Sequence, residues 1–141
     1  MLAEKNVLEK IFLDTVYIAA LVNEEDQYHP IAANLAGQYD DHLLVTTEAV
    51  LVEVGNGMAR RYKREAIAVI DELLTSKNVE VVWMTKPLFM EGLTLYKKYQ
   101  DKEWGLTDCI SFVVMKQKGI RLALTFDQHF KQAGFRALMR E

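Results

Sequence analysis

Four acids stand at positions where a carboxylate is either costly or well placed for chemistry: Asp14, Glu53, Asp108 and Asp127. Asp14 ends the run Ile11-Phe12-Leu13, three apolar residues followed by a carboxylate and the Thr15 hydroxyl. Asp127 follows Leu122-Ala123-Leu124-Thr125-Phe126, a second apolar run that ends on a polar residue. Asp108 lies just behind the break Asp101–Gly105, at the head of an apolar helical stretch. Glu53 sits among Ala49, Val50, Leu51, Val52 and Val54, so a helix there puts it in a stripe with apolar neighbours three and four residues back. A lone carboxylate in such a stripe needs a partner. Carboxylates that share a pocket repel, so either some take protons or cations fill the gap. A hard ion with oxygen ligands suits that gap. Mg²⁺ or Mn²⁺ accepts one or two carboxylates and keeps waters for a phosphate ligand. No cluster of Cys and His argues for zinc.

Whether the acids can meet depends on the elements that carry them. Short apolar runs read as buried strands at 11–14, 43–45, 79–82 and 120–124, with a last edge strand at 135–138. Helical patterns separate them. They cover about 16–23, then His29-Pro30 to Tyr39 with Pro30 in the first turn, and Glu48–Arg61 behind a Thr47 cap. Further helices cover Arg64–Ser76, Pro87–Tyr99, Asp108–Lys118 behind a Thr107 cap and closed by Gly119, and Asp127–Ala133 before Gly134. Gly55 and Gly57 weaken the third of these helices. In Arg64–Ser76, Ile67, Ile70, Leu73 and Leu74 recur at helical spacing. Alternation of strand and helix predicts an α/β fold with a central parallel sheet, right-handed crossovers and helices on both faces. Asp14, Asp108 and Asp127 then all lie at the edge where strands end and helices begin, which is where open α/β sheets bind their ligands. The dipole of the Asp108 helix is expected to favour that acid's ionised form.

The 141 residues suit one domain with one core. Half are apolar and 26% charged, as in soluble globular proteins. The net charge of −3 gives no sign of nucleic acid in bulk, so an RNA binder would need a local basic patch. Arg60-Arg61-Tyr62-Lys63-Arg64 is the densest one: Arg60, Arg61, Lys63 and Arg64 are candidates for phosphate contact, with Tyr62 available to stack on a base. A solvated helix junction explains the same run equally well. The only cysteine, Cys109, cannot form an internal disulfide and points to a reducing, cytoplasmic compartment. The start of the sequence, with Glu4, Lys5, Glu9 and Lys10, lacks the apolar core of a signal peptide, and no apolar run reaches the length of a membrane span. Residues 1–10 read as a polar lead-in.

Each acid has a bland explanation taken singly. Asp14 could cap a strand end, Asp108 and Asp127 could be ordinary first-turn helix acids, and Glu53 could pair with a basic residue. Thr15 and Thr125 could be no more than strand formers. Trp104 and Cys109 are expected in the core and His29 and His42 on the solvated surface; His129, near Asp127, could support that acid, but a surface histidine is the preferred reading. Only the compatibility of the four positions argues for a site.

The pattern resembles the PIN-domain nucleases, and within them the VapC-type toxins of toxin–antitoxin pairs. The resemblance runs along nearly the whole chain. It rests on Phe12-Leu13-Asp14-Thr15, on Val45-Thr46-Thr47 through Glu53, on Gly105-Leu106-Thr107-Asp108-Cys109, and on Leu124-Thr125-Phe126-Asp127 with His129-Phe130 behind. It implies an α/β/α sandwich and metal-binding acids at Asp14, Glu53, Asp108 and Asp127, the first and third being the main ligands. Thr15, Thr107 and Thr125 stand beside three of these acids and are expected to support them. One departure concerns the fourth acid: many members have Asn before it, where this chain has Phe126. The resemblance further implies Mg²⁺ or Mn²⁺, hydrolysis of RNA by a metal-activated water, a homodimer, and an antitoxin that covers the acidic pocket.

Two other classes fit less well. An aspartyl-phosphate enzyme of the haloacid-dehalogenase kind would want an acid two residues after Asp14, where Val16 stands, and a receiver domain would want adjacent acids where Leu13 stands. A non-catalytic RNA- or protein-binding module would be marked by loss of acids, and all four are present.

Overall fold

The computed structural model describes residues 8–141, so residues 1–7 of the polar lead-in lie outside the described residues. Five strands form one parallel sheet: β1 (Ile11–Leu13), β2 (Leu44–Thr47), β3 (Val79–Val82), β4 (Leu122–Leu124) and β5 (Arg136–Ala137), in the order β3-β2-β1-β4-β5. The connections carry α1 (Thr15–Val22), α2 (His29–Gln38), α3 (Glu48–Gly57), α4 (Lys63–Thr75), α5 (Lys86–Lys98), α6 (Leu106–Gln117) and α7 (Gln128–Gln132). From β1 the chain steps one way across the sheet to β2 and β3, then returns past β1 to β4 and β5. Right-handed crossovers in opposite directions put their helices on opposite faces. Accordingly α1 packs with α2, α3 and α4, while α5 packs with α6 and α6 with α7. This is the α/β/α arrangement expected from the alternating pattern.

The central strand is the most buried: Ile11 and Phe12 have no exposed surface and Leu13 almost none. Its uninterrupted apolar run is what a strand covered on both faces requires. On the α6–α7 side an aromatic group joins the layers. Phe112 meets Phe130 edge to face at 5.0 Å and Trp104 at 5.1 Å. Such pairs add about 0.5–1.5 kcal/mol each beyond their burial. They fix the starts of α6 and α7, and Asp108 and Asp127 stand at those starts. Cys109 is wholly buried, and burial pushes its thiol up to about 11. That agrees with an inert core thiol.

Several boundaries differ from the sequence expectation. α3 stops at Gly57 rather than Arg61: Gly55 and Gly57 weaken its last turn, and the Met58 N–H closes it on the Val54 carbonyl. Arg60 and Arg61 therefore lie in a turn. β2 runs on through Thr46 and Thr47, and the Thr47 hydroxyl, still the cap of α3, accepts from the Val50 N–H at 3.1 Å. The cap of α6 is Gly105, not Thr107. Thr107 lies inside the first turn, where its carbonyl accepts from the Ser111 hydroxyl. Ile67 and Leu74 fall on the exposed flank of α4, whose buried contacts are Ala66 and Leu73. His42 is not solvated: its Nδ1 lies 2.8 Å from the Glu9 carbonyl and its ring packs edge-on to Tyr39. His29 is likewise engaged, Nδ1 lying 2.8 Å from the Ala20 carbonyl.

Candidate active site

The pairing register of β1 with β4 builds the centre of the site. Leu13 opposes Leu124, so the next residues, Asp14 and Thr125, emerge side by side at the carboxyl ends of the two strands. The Thr125 hydroxyl donates to Asp14 Oδ2 at 2.8 Å and accepts from the Asp127 N–H at 3.0 Å. Both Asp14 and Thr125 are buried. The sheet reverses its direction of winding between β1 and β4, and the crevice outside such a switch point is where open α/β sheets take ligands.

Asp108 reaches the same place from the first turn of α6. Its Oδ2 accepts from the Gly105 N–H at 3.1 Å, the bond of an N3 carboxylate that reaches back to its cap. Asp127 caps α7, its Oδ1 accepting from the His129 N–H at 2.9 Å. The ordinary helix-start roles thus exist, and they aim the carboxylates rather than compete with a site. Ligand atoms of Asp108, Asp127 and His129 all lie within 4.8 Å of one another.

His129 was expected at the surface and is instead part of this group. Its Nδ1 is 3.1 Å from Asp108 Oδ2 and 3.2 Å from Asp127 Oδ1. In the tautomer with its hydrogen on Nδ1, the ring donates to both carboxylates at once. The cue available in the sequence was the spacing: a residue two past a capping acid in a short helix turns back over the helix start.

Electrostatics bind the acids together. Burial pushes the Asp14 carboxyl up to about 7; the Thr125 hydrogen bond opposes this, and repulsion from Asp108 and Asp127 adds to it. Burial also raises Asp108, followed by repulsion from Asp127, against the Gly105 N–H and His129. The expected preference of the helix start for an ionised Asp108 is therefore outweighed by burial and by the neighbouring acid. A group of acids whose charges oppose one another fits a divalent cation, and its carboxylate oxygens are the donors that Mg²⁺ and Mn²⁺ prefer.

Glu53 stands differently from its expectation. It is exposed on α3, not buried in the apolar stripe, and its partner is Thr15, whose hydroxyl donates to Glu53 Oε1 at 2.5 Å. Since Thr15 follows Asp14, the bond ties the α3 carboxylate to the end of β1. Phe126, the residue that departs from the family pattern, stacks on Tyr28 with ring centroids 4.1 Å apart, which roofs the strand end before Asp127.

The basic run is exposed and divided: Arg60 and Arg61 lie in the turn between α3 and α4, and Lys63 and Arg64 open α4. Tyr62 is not free to stack on a base: its hydroxyl donates to Glu25 Oε2 at 2.7 Å and Arg61 lies over its ring. The bond to Glu25 ties this turn to the loop that leads into Tyr28.

Comparison with known proteins agrees with this geometry. The family model described as PIN domain matches residues 11–136. The chain is 32% identical over 125 residues to the 23S rRNA-specific endonuclease VapC20 of Mycobacterium tuberculosis, covering 89% of this chain and 95% of that one. It is 30% identical over 136 residues to a VapC ribonuclease of Aquifex aeolicus, covering 92% and 95%. The crystal structure of M. tuberculosis VapC20, described as a sarcin–ricin loop cleaving toxin, superposes with a TM-score of 0.82 at 31% identity over 89% of this chain and 96% of that one. The VapBC2 complex of Rickettsia felis, bound to a DNA fragment of its promoter, shares the fold at a TM-score of 0.63 and 14% identity, over 89% and 93% of the chains. Asp14, Asp108 and Asp127 meet at the β1–β4 crevice while Glu53 stands apart from them, tied to it only through Thr15, and the chain belongs to the PIN-domain family, as a nuclease of the VapC ribonuclease type.

Proposed function

We propose that this chain is a Mg²⁺- or Mn²⁺-dependent endoribonuclease that cuts 23S rRNA in the sarcin–ricin loop and acts as the toxin of a toxin–antitoxin pair. The observation that carries the reading is the Asp14–Thr125–Asp127 linkage, with Asp108 and His129 closing the same pocket. The substrate is carried over from the M. tuberculosis relative, which covers 95% of its own length in the alignment.

Asp14 and Asp108 would be the main metal ligands, with Asp127 as a further ligand or outer carboxylate and Glu53 as a ligand or the base that orients the attacking water. When bound, the ion would neutralise charge on the scissile phosphate and lower the pKa of the water that attacks it. Thr125 holds Asp14 in one rotamer, and Thr15 aims Glu53. His129 fixes the spacing of Asp108 and Asp127 through a shared hydrogen. Thr107, two residues after the cap of α6, would support Asp108 through the helix backbone. Arg60, Arg61, Lys63 and Arg64 would contact phosphates flanking the cut, since this exposed run is tied to the loop that borders the acids.

The domain is taken to be single, because one sheet draws strands from residue 11 to residue 137. Among the described residues no helix is long and apolar enough to cross a membrane. With a buried, unpaired cysteine, a cytoplasmic protein is the reading that follows. A homodimer and a cognate antitoxin are the partners that the VapC resemblance implies.

A synthetic stem–loop RNA with the sarcin–ricin sequence tests the proposal. The wild type should cut it at one position in Mn²⁺, chelation should stop the reaction, and Asp14→Asn and Asp108→Asn should abolish it. Equal cutting by Asp108→Asn, or cutting that survives chelation, would sink the reading.

A further inference from the structure

A pocket of carboxylates repels the polyanion it must cut. Productive binding needs a cation beside the acids, yet not paired with them, since pairing would cancel the charge meant for a metal ion. Of the three arginines in and around β4 and β5, only one stands past the carboxyl ends of the strands and meets both conditions. Arg121 is paired with Glu9, and Arg136 is held by both oxygens of Glu141, at 2.9 and 2.6 Å. Arg140 differs. Its Nε–H donates to the Phe126 carbonyl at 2.5 Å, and among the described residues no carboxylate lies within ion-pair distance of it. A neutral carbonyl fixes the side chain without neutralising it, and the two Nη groups remain to grip an anion as a fork.

The anchoring is specific to the site. Phe126 precedes Asp127. One residue before Arg140, the Met139 N–H donates to the carbonyl of Thr125 at 3.1 Å, and Thr125 is the residue whose hydroxyl holds Asp14. Leu138 and Met139, both buried, pin the short 3₁₀ turn Leu138–Arg140, while Arg140 itself is exposed. The guanidinium is thus built onto the strand-end loop that carries two of the site's polar residues.

We propose that Arg140 is a phosphate-binding residue that seats the RNA strand at the rim of the acidic pocket. This rests on the nuclease reading for its purpose, but not for its test. Binding is measured first, by fluorescence anisotropy of the labelled sarcin–ricin stem–loop, in an Asp108→Asn background with and without Arg140→Gln or Arg140→Lys. Arg140→Gln should weaken binding about ten-fold, the scale of one lost charge-assisted contact. It should lower the slope of log affinity against log salt by about 0.7, as expected for one phosphate contact to a single strand. Arg140→Lys, a cation without the fork, should keep the slope and recover part of the affinity. Where the wild-type protein cuts, Arg140→Gln should raise KM with kcat little changed. A residue that merely staples the C-terminal turn would lower the melting temperature and leave the salt slope untouched. That result, or unchanged binding, overturns the assignment. Absence of cutting by the wild type would instead count against the nuclease reading, leaving the binding result to decide for Arg140.

Discussion

Thr125 gives its hydroxyl hydrogen to Asp14 Oδ2 at 2.8 Å, so one buried bond joins the ends of β1 and β4 at the middle of the acidic pocket. The two residues are far apart along the chain and adjacent only because Leu13 pairs with Leu124. Thr125→Val keeps the shape and removes the hydroxyl. It leaves Asp14 without its only side-chain donor among the described residues, in a buried site that already favours the neutral acid. Bonds of this supporting kind are worth about 10–100-fold in metal affinity or activity. We expect a loss of that size in both Mn²⁺ affinity, by calorimetry, and RNA cleavage, with Thr125→Ser restoring most of it. Full activity in Thr125→Val would show that the bond is structural only.

The Thr15–Glu53 bond is the exposed counterpart. An exposed pair adds little to stability, so Thr15→Val and Glu53→Gln should each change it by no more than about 0.5 kcal/mol. Cleavage should fall in both, because Thr15 decides where the Glu53 carboxylate points. Thr15→Ser should restore it. Thermal melts and cleavage rates on the same preparations separate the two effects. A large fall in melting temperature with activity per folded molecule unchanged would count against the role given to Glu53.

Asp14 and Asp127 were legible because an apolar run ending on an acid has one reading in a parallel sheet, and two such runs define the same edge. Glu53 was legible as unusual but for the wrong reason. Helical spacing places it beside Val50, which is buried, yet Glu53 itself falls on the exposed side of α3, and sequence periodicity does not fix where the boundary of a short helix's buried face runs. His129 is visible in the sequence as a possible support for Asp127 but is outweighed there, because a lone histidine beside an acid is common on surfaces. Its significance comes from the approach of Asp108, which depends on how α6 packs against α7. The start of α4 at Lys63 follows a left-handed backbone at Tyr62, a conformation that a tyrosine side chain does not advertise. Arg140 is invisible in the sequence for a related reason: three arginines occur between 121 and 140, and only their partners in space tell them apart.

The layer that carries Asp108 depends on a close approach between α5 and α6. A Cβ built at Gly92 of α5 would lie 2.6 Å from Ile110 Cγ1 and 3.4 Å from Ile110 Cα on α6. The nearest atom belongs to a branched side chain that is itself buried, so it cannot swing aside. Gly92→Ala should cost about 1–3 kcal/mol through overpacking, despite its higher helix propensity. Denaturant unfolding gives the sign. A neutral or stabilising result would mean that α5 can lift off α6 without loss.

Acidity supplies the sharpest test of the pocket's charge. With the Asp14 carboxyl at about 7 in the folded protein and near 3.8 when unfolded, the folded state holds a proton between those values that the unfolded chain has released. The unfolded state then binds fewer protons, so stability must fall as pH rises through this window, at a slope of up to about 1.4 kcal/mol per unit, and level off above about pH 7. Asp108 is raised as well and acts in the same sense. In chelator, the melting temperature should therefore be higher near pH 5 than near pH 8, and Asp14→Asn should flatten the difference. A cation bound among these acids favours their ionised forms. Mn²⁺ should then stabilise the protein more at the higher pH and release protons on binding, measurable as a buffer-dependent heat. If the metal-free protein is instead more stable at the higher pH, or if Asp14→Asn leaves the profile unaltered, then the charge of Asp14 is not what sets the chemistry of this pocket.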